Sequence, residues 1–249
     1  MISNNEIKHI HSLKLKKYRE ANGQFVAEGP KIITELAAMP HAKEAKVYAL
    51  ASWAEAHQAM FGGKIVVVTE AELNRMSHMQ APQQVLAVLP TWHHHFSGIA
   101  PQHWSLALDG IQDPGNMGTL LRIADWFGIK QIFCTNDTAD IFNNKVAQAS
   151  MGSLFRVQVF YGPLHEWLTT ATVPVYGMML SGTDVTLIDE PTAGIVVAGN
   201  EGRGIRPEVS KTITQNITIV RHGQAESLNA AVATGIVLSH LIKNTSSSI

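Results

Sequence analysis

The chain has 249 residues, 45% of them apolar and 16% charged. That is enough apolar material for a sizeable core and too little charge for a disordered chain, and the length allows one large domain or two modest ones. Lys and Arg number 19 against 20 acidic residues, so the overall charge neither demands nor forbids a polyanionic partner.

Apolar, β-branched runs alternate with helical patterns throughout, as in an α/β protein. A basic helix is expected near 4–19, then a strand over QFVAEG and a helix from Pro30 to Ala38. Strands over KVYAL, KIVVVT and QQVLAVL follow, with helices between. Lys8, Lys14, Lys16, Lys17 and Arg19 run without an intervening acid, joined by His9 and His11. Such a patch suits a phosphate backbone, and equally a solvated helix face. Residues 1–90 read as the first domain. Residues 91–104, rich in His, Pro and Gly and lacking periodicity, read as a linker. The three histidines His93, His94 and His95 point in different directions, with no Cys, Asp or Glu beside them to complete a tetrahedral set, so no metal is expected.

The second domain, 105–249, repeats a strand–helix rhythm. Strands are expected over SLALDGI, KQIFCTN, RVQVFY, VPVYGMML, GIVVAG and NITIV, with helices at 116–127, 141–152, 163–172, 206–213 and 229–243 and a frayed polar tail NTSSSI. Strands this apolar, each followed by a helix, imply a parallel sheet covered on both faces. Cys134, the one cysteine, excludes an intrachain disulfide and sits in the apolar run QIFC as a buried thiol. Residues 1–20 are polar and basic, unlike a secretory signal, and no apolar run approaches the roughly 20 residues of a membrane span. A cytoplasmic protein is expected.

Ligands of open parallel sheets bind beyond the carboxyl ends of the strands, and three such ends carry unusual residues. DPGNMGTLLRIADWFG opens a helix with Asn116 at its mouth and Arg122 four residues after Gly118, whose missing side chain leaves space beside the guanidinium. No Lys-Ser or Lys-Thr follows, so it is not a P-loop. Asn116 as a helix cap and Arg122 paired with Asp125 are the plain alternatives. GNEGRG places Gly199, Asn200, Glu201, Gly202 and Gly204 after a buried strand. The order of its glycines is not that of a dinucleotide fingerprint. RHGQAESLNAAVATG brings Ser227 and Asn229 to the start of a slim last helix, where Ser227 could equally be an ordinary cap.

The order N-x-G-x-x-x-R (Asn116, Gly118, Arg122), then G-N-E-G (Gly199 to Gly202), then S-L-N-A-A-V-A (Ser227 to Ala233) resembles the three motifs of the SpoU/TrmH family of RNA ribose 2′-O-methyltransferases. KLKKYREANGQFVAEGPKII resembles the small substrate-binding domain that many members carry. One departure is that Arg221 and His222 stand where the third motif usually has a Pro-Met-like pair.

The resemblance implies a small α/β RNA-binding domain followed by a parallel-sheet α/β-knot methyltransferase domain with a deep trefoil knot. It implies S-adenosylmethionine as cofactor, RNA as substrate (ribosomal RNA ahead of tRNA), and a homodimer whose Arg122 serves the partner's pocket. Arg122, Asn116, Glu201, Ser227 and Asn229 are the implied catalytic residues. Gly199, Ile219, Leu228, Asn200 and Gly202 are the implied cofactor contacts, and Lys14, Lys16, Lys17 and Arg19 the expected RNA contacts. Arg122 is described in the family as a base. A guanidinium keeps its proton to a pKa above about 12, so a clamp on phosphate and developing alkoxide meets less physical objection. An RNA-binding protein with a silent catalytic domain is one alternative, and a dinucleotide-dependent oxidoreductase, disfavoured by the absent G-x-G-x-x-G, is the other.

Overall fold

A computed structural model of the chain describes residues 2–189 and 191–242. In chain order the elements are α1 (Asn4–Ser12), α2 (Lys16–Asn22), β1 (Gln24–Glu28), α3 (Pro30–Ala37), β2 (Lys46–Ala49), α4 (Ala51–His57), β3 (Ile65–Val67), α5 (Glu70–Met76) and β4 (Val85–Pro90). They continue with β5 (Trp104–Asp109), α6 (Pro114–Trp126), β6 (Gln131–Cys134), α7 (Asn144–Ser150), β7 (Gln158–Tyr161) and α8 (Leu164–Thr169). The last are β8 (Val175–Asp184), β9 (Gly194–Gly199), α9 (Pro207–Ser210), β10 (Gln215–Thr218) and α10 (Ala230–Leu241). Every expected strand is present, with ends shifted by a few residues. Residue 243 of the expected closing helix and the tail NTSSSI lie outside the described residues.

The chain divides into two units, Met1–Trp92 with Asp140–Phe155, and His93–Ala139 with Arg156–Ile249. The segment 140–155 therefore departs from the sequence expectation, which kept it in the second domain. Its helix α7 packs on β1.

In the first unit the described strands form a sheet in the order β1-β4-β2-β3, antiparallel except between β2 and β3. The basic helix is two helices rather than one. Ile7, Ile10 and Leu13 all enter the core, and a helix continued in that register would bring Lys14 onto the same apolar face. The chain instead breaks, and Leu15 enters α2 in extended conformation. Arg19 is 3% exposed. Its Nη1 donates to Leu13 O at 3.1 Å and Lys14 O at 2.9 Å, carbonyls the break leaves without helical partners. Its Nη2 donates to Asp140 Oδ2 at 2.8 Å.

Glu28, enclosed at the end of β1, accepts from Ser77 Oγ at 2.5 Å and from the His78 N–H at 2.7 Å. Burial raises the Glu28 carboxyl above its ordinary value and pushes the enclosed His78 imidazole down to about 4.

In the second unit the described strands form a parallel sheet in the order β10-β8-β9-β5-β6-β7. Strand β5 is buried along its whole length, which explains its unbroken apolar sequence. The connecting stretch after Trp92 has no regular element before β5, yet it is not loose: Phe96 stacks on Trp167 with ring centroids 4.6 Å apart and meets Phe133 edge-on. Cys134 is wholly buried, which raises its thiol far above the ordinary range. No helix of the described residues is long and apolar enough to cross a membrane.

Candidate active site

Helix α6 begins where Asp113, at the N-cap, accepts the N–H of Asn116 at 2.8 Å, with Pro114 in the first turn. Because Asp113 caps the helix, the side chain of Asn116 is released from that task. Its Nδ2 donates to Glu201 Oε1 at 2.7 Å, and its Oδ1 accepts from Asn229 Nδ2 at 2.8 Å. The direction of this chain is fixed at both ends. A carboxylate only accepts, and Asn229 Oδ1 is committed to the N–H groups of Ala231 and Val232 as the cap of α10. Asn229, not Ser227, therefore caps the last helix. One residue from each of the three sequence motifs meets here, bridging 85 positions from Asn116 to Glu201 and 113 to Asn229.

The loop after β9 is a small closed structure. Asn200 and Gly204 exchange backbone hydrogen bonds, and Asn200 Oδ1 accepts the N–H of Gly202 and Arg203. Gly199 is required by this closure. A Cβ there would stand 2.3 Å from the carbonyl carbon of Gly204 and 2.4 Å from the Ile205 nitrogen. A side chain at Gly199 would disrupt the loop rather than plug a pocket.

Beside this loop lies a cavity of about 1060 Å³, along the middle of β8 and at the carboxyl ends of β9 and β10. All five expected cofactor contacts, Gly199, Asn200, Gly202, Ile219 and Leu228, line it, as do Glu201 and Ser227. Met178, Met179 and Leu180, in the middle of β8, also line it, a role nothing in the sequence marks. They fall inside the expected strand VPVYGMML, which marks them as strand and not as cavity wall, and Leu180 is 84% exposed. Arg203, Arg221 and Glu226 supply charge at the wall.

Arg122 stands apart. It is exposed, does not line the cavity, and has no hydrogen-bond or ion-pair partner among the described residues. The pairing with Asp125 is overturned, because Asp125 takes Arg156 Nε at 2.8 Å. Gly118 is itself buried, while Arg122 is exposed.

In the first unit, Lys14, Lys16 and Lys17 are exposed. Lys16 lies 3.7 Å from Glu20 in an exposed pair, and Lys17 Nζ is 4.7 Å from the Tyr18 ring centroid. Arg19 is corrected from an RNA contact to an interior residue: its guanidinium is spent on Asp140 and two carbonyls. No group of three or more His, Cys, Asp or Glu side chains that could hold a metal ion occurs among the described residues.

Residues 103–239 match the SpoU rRNA Methylase family, and residues 4–87 match an MRM3-like substrate binding domain. The 23S rRNA (guanosine(2553)-2′-O)-methyltransferase RlmP of Bacillus subtilis is 29% identical over 242 residues, 96% of this chain and 96% of that one. A solved TrmH-family protein from Porphyromonas gingivalis is 36% identical, with a TM-score of 0.82 covering 97% of this chain and 98% of its own. An AdoMet-bound rRNA methyltransferase from Sinorhizobium meliloti is 29% identical, with a TM-score of 0.81 over 97% and 95%.

Proposed function

The chain belongs to the SpoU rRNA methylase family, and from that premise we propose that it transfers a methyl group from S-adenosylmethionine to a ribose 2′-hydroxyl of ribosomal RNA. The observation that carries this is the meeting of Asn116, Glu201 and Asn229 in one hydrogen-bonded chain at the edge of the large cavity.

The cavity's chemistry suits the cofactor. Met178, Ile217, Val220 and Leu228 offer apolar walls for a purine, while Arg221 and Glu226 offer opposite charges for an amino-acid tail. The bound group would supply a methyl already activated on a sulfonium sulfur. The protein's share is then alignment, which supplies several kcal/mol by fixing reacting atoms in line. Asn116 and Asn229 hold Glu201 at the cavity wall, and Ser227 stands on the same wall to orient the ribose. Arg122, charged and unpaired, clamps an RNA phosphate and stabilises the oxyanion as the hydroxyl gives up its proton.

We assign the RNA-binding role to residues 1–90, with Lys14, Lys16 and Lys17 on phosphates, and methyl transfer to residues 105–249. The protein acts as a homodimer in the cytoplasm, with Arg122 completing the partner's site. That Arg122 is absent from its own cavity wall supports a shared site. A homodimer is supported by α10, which is mostly apolar yet leaves Val232 exposed, while Trp126 on the adjoining α6 is 85% exposed. The knot of the family completes the proposal. Beside the register shift between the paired strands β8 and β10, Gly182 allows a close backbone approach, since a Cβ there would meet the backbone oxygen of Asn216 at 2.6 Å.

The test uses purified protein, labelled S-adenosylmethionine and separate rRNA and tRNA transcripts, followed by nucleoside mass spectrometry. A 2′-O-methylated nucleoside in rRNA is expected. Label in tRNA alone, or in neither RNA, overturns the reading. S-adenosylmethionine at a hundred times its Kd should also stabilise the fold by about 2.7 kcal/mol, and NAD should not.

A further inference from the structure

The carboxylate of Asp109 ends β5 with its side chain wholly enclosed, and an enclosed charge must be paired and hydrogen-bonded. Arg206 meets that need almost alone. It donates its backbone N–H to Oδ2 at 2.7 Å and its Nε to Oδ1 at 2.6 Å. The outer nitrogen, Nη2, reaches Asp109 and also Asp137 Oδ1 at 3.2 Å, on the loop after β6. The carboxylates in turn hold the guanidinium even more firmly protonated than usual.

Arg206 stands at the far foot of the loop that carries Glu201. The near foot is Asn200, whose Nδ2 donates to Gly110 O at 2.8 Å. Both feet therefore rest on two consecutive residues, Asp109 and Gly110, four residues before the helix that presents Asn116. Glu201 lies between the feet and receives the Asn116 amide. If the far foot lifts, the loop keeps its sequence and loses its aim.

We propose that Arg206 is a positioning residue for methyl transfer: locked to Asp109 and Asp137, it holds the 200–206 loop so that Glu201 reaches Asn116. It lines no part of the large cavity, so it acts through Glu201. Arginine suits the task because its planar fork serves two carboxylates while its own backbone N–H binds one of them. An ammonium has the charge without the fork. The role assigned to Glu201 rests on the methyl-transfer reading above.

The test compares wild type with Arg206→Lys, which keeps a cation beside Asp109, and Asp137→Asn, which removes only the outer, partly exposed partner. Hydrogen exchange reads the loop without any activity assay. In Arg206→Lys the amides of Gly202 and Arg203 should exchange about tenfold faster while β5 and β9 stay protected. At saturating cofactor, kcat should fall about tenfold or more, with the RNA KM changed less than about threefold. Asp137→Asn should move both in the same direction by less. Three results would overturn the proposal: faster exchange spread through β5 and β9, a freed loop with unchanged kcat, or a lowered kcat with an unchanged loop. Wild-type protein that methylates no RNA sinks the functional reading instead, and the exchange arm still reports whether Arg206 braces the loop.

Discussion

Replacing Arg19 by alanine should damage the fold of the first unit, not the grip on RNA. The substitution removes donors from Asp140 Oδ2, Leu13 O and Lys14 O at once. Breaking a fully buried ion pair by removing one partner costs about 3–5 kcal/mol. The Asp140 side chain is 23% exposed, so it regains part of its hydration, and this end of the cost falls below that range. The two abandoned carbonyls add about 1 kcal/mol each. A net loss of about 3 kcal/mol should lower the unfolding transition of a unit this size by roughly 10–20 °C. Urea and thermal denaturation read the loss, with Arg19→Lys as an intermediate that keeps the charge but not the fork. The opposite behaviour is expected of the exposed lysines. Replacing Lys14, Lys16 and Lys17 together by alanine should leave stability within about 1 kcal/mol and reduce the salt slope of RNA binding by roughly 2–3. An Arg19→Ala protein as stable as wild type, yet weakened toward RNA with a shallower salt slope, would refute the assignment.

Asn116→Asp should lower kcat by about a hundredfold or more, because a second carboxylate would face Glu201 where an amide now donates. Methyl-transfer kinetics with wild-type rates would remove Asn116 from the site. Gly199→Ala should destabilise the loop by more than about 2 kcal/mol, since no rotamer relieves a Cβ pressed on backbone, and protection of residues 199–206 in hydrogen exchange checks it. Shared sites in the homodimer predict that inactive Arg122→Ala and a cavity-filling Leu228→Trp restore activity when co-expressed, about half of random pairs being heterodimers. Confirmed heterodimers without activity would assign each chain its own site. Finally, His78 binds its proton less readily folded than unfolded, so stability should fall as pH drops from about 6.5 toward 4, by up to about 3 kcal/mol. The raised Glu28 carboxyl has the opposite sign, its contribution being lost as pH rises above about 4.5. Removing the imidazole in His78→Gln should flatten the acid-side loss in urea titrations. An unchanged acid slope would point elsewhere.

The elements were legible because most strands are apolar runs, several of them closed by a turn residue such as Gly29, Pro90, Asp109, Gly162 or Gly199. The three loops were legible because Asn, Glu, Gly and Ser stand together where a buried strand stops. What could not be read is pairing across the chain. Nothing local marks Asp109 as the partner of Arg206, 97 positions away, or Arg19 as the partner of Asp140, 121 positions away. For the same reason a basic run could not separate its one enclosed guanidinium from the exposed lysines around it. The helix break at Leu13–Leu15 was hidden because helix-forming residues continue through it, and only the burden of burying Lys14 ends the helix. Gly118 reads in sequence as open space, whereas the fold buries it.

The assignment of Asp140–Phe155 to the first unit bears on how the protein is made. The polypeptide passes from one unit to the other three times, so neither is a contiguous stretch of the gene. A ribosome that has finished Trp92 has not yet supplied the carboxylate that Arg19 needs or the helix that lies on β1. At 5–20 residues per second, about sixty further residues take roughly 3–13 seconds. During that wait the basic end of the nascent chain is kept incomplete, with a buried cation lacking its counter-ion. A fragment cut at the apparent linker would keep this defect permanently. The shortest autonomous form of the first unit is therefore one that carries the excised segment grafted back onto it.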